Sequence, residues 1–207
     1  MSEQDRIAVI GAGIIGAAVA FALAREGREV LLLDRAEPGT AGASFGNVGH
    51  IAAELVQPLP SVALLCSFWR ELYCFGGALD LPARQALRML PWMRRFAAAA
   101  LRRAENTRQL APLVQPAAAE WARWLAEIGR PDLLRRHGHY EIGFGKRAPA
   151  RMGAQARALA QLGIDTRPVP AALLLPLQRA AHADAAAGLW FPDSAHVLDP
   201  LEAVRAF

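Results

Sequence analysis

The chain has 207 residues, is 54% hydrophobic and carries a formal charge of +4, which is length enough for one large domain, or one and a half, with a sizeable core. No apolar run reaches the roughly 18–20 residues that span a bilayer, and the first core strand starts too close to Met1 to leave room for a signal peptide, so a cytoplasmic protein is expected. Of the 23 basic residues, 22 are arginine, with Lys146 the lone lysine; this reads as the bias of a GC-rich genome and excludes little by itself. Cys66 and Cys74 lack metal or redox spacing and are expected as reduced thiols.

The chain opens with a strand, a glycine turn, a helix and a second strand that ends in an acid. Ile7-Ala8-Val9-Ile10 has the continuous apolar character of a buried parallel strand. Gly11-Ala12-Gly13-Ile14-Ile15-Gly16 follows, then an alanine-rich helix that stops at Gly27, then Val30-Leu31-Leu32-Leu33-Asp34. This is the dinucleotide-binding βαβ fingerprint in its full context. Gly11 permits the tight turn, Gly13 lets a pyrophosphate approach the backbone, and Gly16 lets the helix lie close on the strands. The helix N-terminus presents unpaired N–H groups and a positive dipole end to the phosphates. Asp34 is placed to accept from both hydroxyls of an adenosine ribose and would repel a 2′-phosphate, which disfavours NADP. The fingerprint does not separate FAD from NAD.

Residues 35–50 form a segment rich in Gly, Ser and Asn with little apolar periodicity. Its place directly after the ribose-binding acid suits close approach to a ligand. After Gln57-Pro58-Leu59-Pro60, helical spacing returns over 61–75, and a further helix is expected from Pro82 to Leu90. Pro91 is expected to restart the chain as another helix, through an alanine run to about Ala104. The densest basic stretch lies here and includes Arg84, Arg88, Arg94, Arg95, Arg102, Arg103 and Arg108. A solvated helix face is the expected reading, with peripheral contact on an anionic membrane surface as the alternative. No nucleic-acid motif accompanies these residues, and no nucleic acid is expected as a partner.

Pro116 is placed to start a helix in which Trp121, Trp124, Leu125 and Ile128 fall on one face and Gly129 ends the run. Such a stripe reads as core, with the lining of a substrate cavity as the alternative. The period then changes to alternation over His139-Tyr140-Glu141-Ile142-Gly143-Phe144. Helix returns over 149–162, a short strand is expected over Asp165 to Val169, a short helix over Ala171 to Gln178, and a strand over Gly188 to Phe191. Helices alternating with short, half-polar strands suggest an antiparallel sheet in an inserted α+β domain. His137-x-His139 lacks a third ligand, so no metal site is expected. Asp199-Pro200-Leu201-Glu202 is a strong helix start, with Asp199 as N-cap and Glu202 completing a capping box.

The expected organisation is therefore α/β: residues 1–60 as the N-terminal part of a Rossmann-like FAD-binding domain, 61–197 as a helical segment plus the substrate domain, and 198–207 as the start of a helix returning to the first domain. Only two parallel strands can be recognised in that first domain, and the last helix runs for about two turns. Both features lead us to expect the front part of a longer protein.

Ile7 to Arg35, followed by Gly42-Ala43-Ser44-Phe45-Gly46-Asn47-Val48-Gly49-His50, resembles the D-amino-acid oxidase-like family of FAD-dependent oxidoreductases, and within it bacterial D-amino-acid dehydrogenases of the small-subunit type. The Pro-rich step at 57–60, Leu90-Pro91-Trp92 and the segment from Phe191 to Pro200 are similar too. The resemblance implies FAD, with its adenosine at Asp34 and Arg35 and its pyrophosphate over Gly11, Ala12, Gly13, Ile14, Ile15 and Gly16. It places Ser44, Asn47, Gly49 and His50 near the pyrophosphate and isoalloxazine. The implied reaction is oxidation of an amino-acid Cα–N bond by hydride transfer to the flavin, with electrons passing to a quinone or another acceptor, on the inner face of the cell membrane or in the cytoplasm. The family's later cofactor contacts and its carboxylate-binding arginine have no match in these residues, so no catalytic residue is assigned. An NAD-dependent oxidoreductase and an inactive fragment or subunit completed by a second chain are the competing readings.

Overall fold

The computed structural model describes residues 6–207. In chain order its elements are β1 (Arg6–Ile10), α1 (Ile14–Arg25), β2 (Glu29–Leu33), β3 (His50–Ile51), α2 (Val62–Glu71), α3 (Ala83–Leu101), α4 (Arg103–Val114) and α5 (Ala117–Glu127). There follow β4 (Leu134–Arg135), β5 (His139–Phe144), α6 (Ala148–Ala160), β6 (Arg167–Pro168), α7 (Ala171–Ala180), β7 (Ala186–Phe191), β8 (Ala195–Val197) and α8 (Pro200–Ala206). They form two compact units, one of residues 6–53 with 116–207 and the other of residues 54–115.

In the first unit β1 and β2 pair in parallel, with Arg6 opposite Glu29 and Ile10 opposite Leu33. α1 is the crossover between them, the long helical connection that parallel neighbours need. Ile7, Val9, Val30 and Leu32 are half-buried, whereas Ile10 is 86% exposed and Leu31 56%. The strand expected to be buried on both faces is thus packed on one face only, because α1 is the helix laid on this pair. The antiparallel sheet expected from the alternation at 139–144 is present as β5-β7-β6, with His139 opposite Phe191 and Phe144 opposite Ala186. A second antiparallel sheet, β3-β8-β4, is built from strands of two or three residues that the sequence does not announce. Its Ile51, Leu134, Ala195 and Val197 pack with Leu125 of α5 and Ala203 of α8 to form the core. Trp121 and Ile128 lie against that core. At the start of α8 the Asp199 carboxylate accepts from the N–H groups of Leu201 and Glu202 (2.9 and 3.0 Å), which is the predicted cap.

In the second unit Ser61 caps α2 by accepting from Leu64 N–H at 3.1 Å. Pro91 does not restart the chain. It sits inside the continuous helix α3. Pro91 and Leu87 are both exposed, so the proline ring packs against no other element and the helix gives up one hydrogen bond at its surface. The helix ends instead at Arg102, where φ −102° and ψ 16° separate α3 from α4. Pro112 and Pro176 are likewise accommodated on exposed positions of α4 and α7.

Candidate functional site

The glycine turn between β1 and α1 is held by a few close contacts. Gly11 has φ +104°, open to glycine and strained for other residues, and its N–H donates to the Leu33 carbonyl at 2.7 Å. A Cβ on Gly16 would collide with the Gly11 carbonyl oxygen, so α1 approaches the turn as closely as a backbone can. Gly13 is the N-cap of α1 and offers no side-chain acceptor. Ser44 supplies one from the following loop: its Oγ accepts from Ile14 N–H at 3.0 Å. The N–H groups of Ile15 and Gly16, in the first turn, have no helical carbonyl to bond, and they carry the positive end of the helix dipole.

Asp34 stands at the end of β2. One of its carboxylate oxygens accepts from Ala12 N–H at 2.6 Å and the other from Ala36 N–H at 3.0 Å. The Ala12 bond above all, helped by the Ala36 bond, holds this carboxyl below the usual carboxylate range. It is ionised at neutral pH, and each oxygen keeps lone-pair capacity for a further donor. Arg35 beside it is exposed.

The loop after β2 folds back over the turn. Gly39 N–H donates to the Ala12 carbonyl at 2.9 Å, Asn47 Oδ1 accepts from Gly49 N–H at 2.8 Å, and the Gly49 carbonyl accepts from Val197 N–H at 2.8 Å. These bonds carry β3 into its place beside β8. The result is a cavity of about 600 Å³ over the N-terminus of α1, within the range of small-molecule sites. Gly11, Gly13, Ile14, Ile15 and Gly16 form one side, and Ser44, Asn47, Gly49 and His50 form another. Ala12, Asp34 and Arg35 do not line it; Ala12 is buried behind the turn and ties Asp34 to it.

Trp121 also lines the cavity. The stripe on α5 therefore serves both readings: Leu125 is fully buried in the core, while Trp121 touches core and cavity. Sequence spacing could not reveal which member of the stripe would reach the cavity. Nor could it show that His139 lies beside His50: their rings meet edge to face at 4.7 Å, and His139 stacks on Phe191 at 4.7 Å.

An elongated phosphate-bearing cofactor matches this geometry. Along the turn the wall is glycine backbone with Ser44 opposite, a Cβ on Gly13 would press on Ser44 Oγ at 3.1 Å, and an ionised carboxylate stands at the strand end. Comparison with known proteins agrees. A D-amino-acid oxidase of Bradyrhizobium diazoefficiens is 30% identical over 146 residues, covering 67% of this chain and 34% of that protein. A D-amino acid dehydrogenase 2 of Ralstonia nicotianae is 36% identical over 103 residues, covering 49% of this chain and 24% of that protein. Among solved structures, L-proline dehydrogenase from P. horikoshii superposes with a TM-score of 0.55 at 16% identity, covering 100% of this chain and 41% of that one. Glycine oxidase from Bacillus cereus gives 0.52 at 16% identity, covering 98% and 42%. At that identity the shared property is the fold, and the chain spans well under half the length of these proteins. Residues 6–207 match the profile described as DAO, FAD dependent oxidoreductase, and the chain belongs to this family of FAD-dependent oxidoreductases.

Proposed function

We propose that this chain provides the adenosine and pyrophosphate seat of an FAD-dependent enzyme that oxidises the Cα–N bond of an amino acid, of the D-amino-acid dehydrogenase type. The observation that carries the reading is the convergence of the glycine turn with Ser44, Asn47, Gly49 and His50 around one cavity at a helix N-terminus. In this assignment the first-turn N–H groups of Ile15 and Gly16 donate to the pyrophosphate. Ser44 already holds Ile14 N–H by its Oγ, which leaves its hydroxyl proton free to donate to the same oxygens. Asp34 accepts from the ribose hydroxyls, with Arg35 beside the adenosine. His50 and Asn47 lie toward the ring end of the cofactor. When bound, FAD supplies the hydride acceptor for the substrate Cα–H. The substrate is an amino or imino acid, and the electrons leave to a quinone or another acceptor.

A second reading rests on a different observation. Ile10, Leu31 and Leu33 are exposed on the open face of the β1-β2 pair, which suits further sequence or a second chain packing there to complete the catalytic face.

Titration of the purified chain with FAD, followed by flavin absorbance and by quenching of tryptophan fluorescence, tests the assignment. Saturable binding that Gly13→Val weakens at least tenfold supports it. Equal binding by the variant, or binding of NAD in place of FAD, would overturn it.

A further inference from the structure

We propose that the exposed face of α3 is a docking surface for anionic phospholipid. This goes beyond the flavin assignment and does not depend on it. The net charge of the chain is unevenly placed: residues 54–115 hold eight arginines and four carboxylates, so this stretch accounts for the whole +4. Within it, the arginines have different fates. Arg103 donates to Gln57 Oε1 at 2.8 Å and Arg108 pairs with Glu105 at 3.1 Å. Arg84, Arg88, Arg94 and Arg95 are exposed and, among the described residues, none of them pairs with a carboxylate.

These four share one face. Arg84, Arg88, Pro91, Arg95 and Ala98 follow helical spacing, and Leu87, Arg94 and Leu101 run alongside at seven-residue intervals. Leu87 is 77% exposed and Leu101 80%. The 19 residues of α3 include no Asp or Glu, and at 1.5 Å per residue they present a strip of about 28 Å. Pro91, Arg94, Arg95 and Ala98 line a shallow depression on this face. No helix among the described residues is long and apolar enough to cross a membrane, so the contact is one that lies on the surface. Arginines beside exposed leucines match a lipid headgroup layer, where the leucines enter the acyl boundary while the guanidinium groups hold phosphates. A nucleic-acid backbone would leave Leu87 and Leu101 in water.

Co-sedimentation with vesicles tests this. The chain should pellet with phosphatidylcholine vesicles containing one part in three phosphatidylglycerol, and not with pure phosphatidylcholine. Arg84→Gln, Arg88→Gln, Arg94→Gln and Arg95→Gln should each lower the partition coefficient about fivefold. Raising salt from about 0.1 M to about 1 M, which shortens the screening length from about 10 Å to about 3 Å, should release the protein. Leu87→Ser with Leu101→Ser should weaken binding without changing its salt slope. The matching control is the quadruple variant Arg28→Gln, Arg136→Gln, Arg147→Gln and Arg179→Gln, which removes the same charge from the other unit. Circular dichroism reports whether each variant keeps its helix. If that control loses as much binding as the variant with all four α3 arginines replaced by Gln, if neutral and anionic vesicles bind alike, or if the chain pellets with neither, the proposal is overturned.

Discussion

Gly46 and Gly49 offer a matched pair for testing how the loop builds the cavity. Both have left-handed backbones, φ +67° and +69°. Around Gly46 an added Cβ would meet open space, whereas at Gly49 it would strike the Val197 carbonyl. Gly46→Ala should therefore cost only the left-handed penalty of about 1–2 kcal/mol. Gly49→Ala adds crowding against backbone, about 1–3 kcal/mol, and disturbs the Val197 N–H bond to the Gly49 carbonyl, about 0.5–1.5 kcal/mol. The expected total is about 2.5–6.5 kcal/mol, a large share of the roughly 5–15 kcal/mol that holds a domain together. Because β3 carries His50 to the cavity beside Asn47, Gly49→Ala should also weaken FAD binding more than Gly46→Ala does. Urea unfolding followed by circular dichroism measures the first quantity and flavin titration the second. Equal midpoints and equal affinities for the two variants would refute the view that the close approach of Gly49 to β8 shapes the site.

Asp34→Asn tests the carboxylate. The Ala12 N–H bond holds its folded-state pKa below the ordinary value of about 3.9, so the ionised form contributes stability that is fully present above that value and is lost as pH falls through the lower, folded-state one. The variant should be less stable at neutral pH and should show a flatter acid limb below about pH 4 in urea midpoints against pH. Leu125→Ala, at a side chain with no exposure in the main core, should lower stability by about 2–5 kcal/mol in the same assay. Trp121→Phe should remove most of the tryptophan quenching seen on FAD titration while leaving affinity within a few-fold, because Trp121 lines the cavity and the ring volume is largely kept. Thr107→Val removes a hydroxyl that donates to the Arg103 carbonyl inside a buried turn of α4; unfolding should show a loss of no more than about 1.5 kcal/mol, since the helical carbonyl keeps its own partner.

The parts of this molecule that sequence reveals are those with a period or an obligatory residue. The run from Ile7 to Asp34 declares itself because parallel strands need continuous apolar residues and the turn needs glycine. The alternation at 139–144 gives β5 to the residue. Strands of two or three residues, such as 50–51, 134–135 and 195–197, carry no period; they exist because tertiary hydrogen bonds fall there. Pro91 misleads because an internal proline costs a helix one hydrogen bond and some strain without obliging it to end, and here the residues on both sides of it continue the helix. The cavity was legible where it comes from contiguous chain, from Gly11 to Gly16 and from Ser44 to His50. Trp121 and His139 reach it or its neighbourhood from far along the chain, through packing that no local spacing encodes.

The open face of β1 and β2 bears on how the cavity works. Ile10 lines the cavity and is 86% exposed, and Leu31 and Leu33, 56% and 44% exposed, lie with it on the open face. Fully covering a side chain of this kind is worth about 1.5–3 kcal/mol, so covering the part of these three that is still exposed would contribute about 3–6 kcal/mol, a large share of the stability of a whole domain. No cap, surface ion pair or single hydrogen bond in the molecule approaches that figure. A parallel pair covered on one side alone is also unusual, since such sheets are ordinarily packed on both faces. The chain covers 42% of the glycine oxidase structure that shares its fold, and the uncovered strands lie beside the turn assigned to the pyrophosphate. Whatever packs against Leu31 and Leu33 would also cover Ile10, which lines the cavity. On this view cofactor retention and completion of the sheet are one equilibrium, and ligand affinity should rise with anything that covers the sheet, by the reciprocity that links two binding events to one protein.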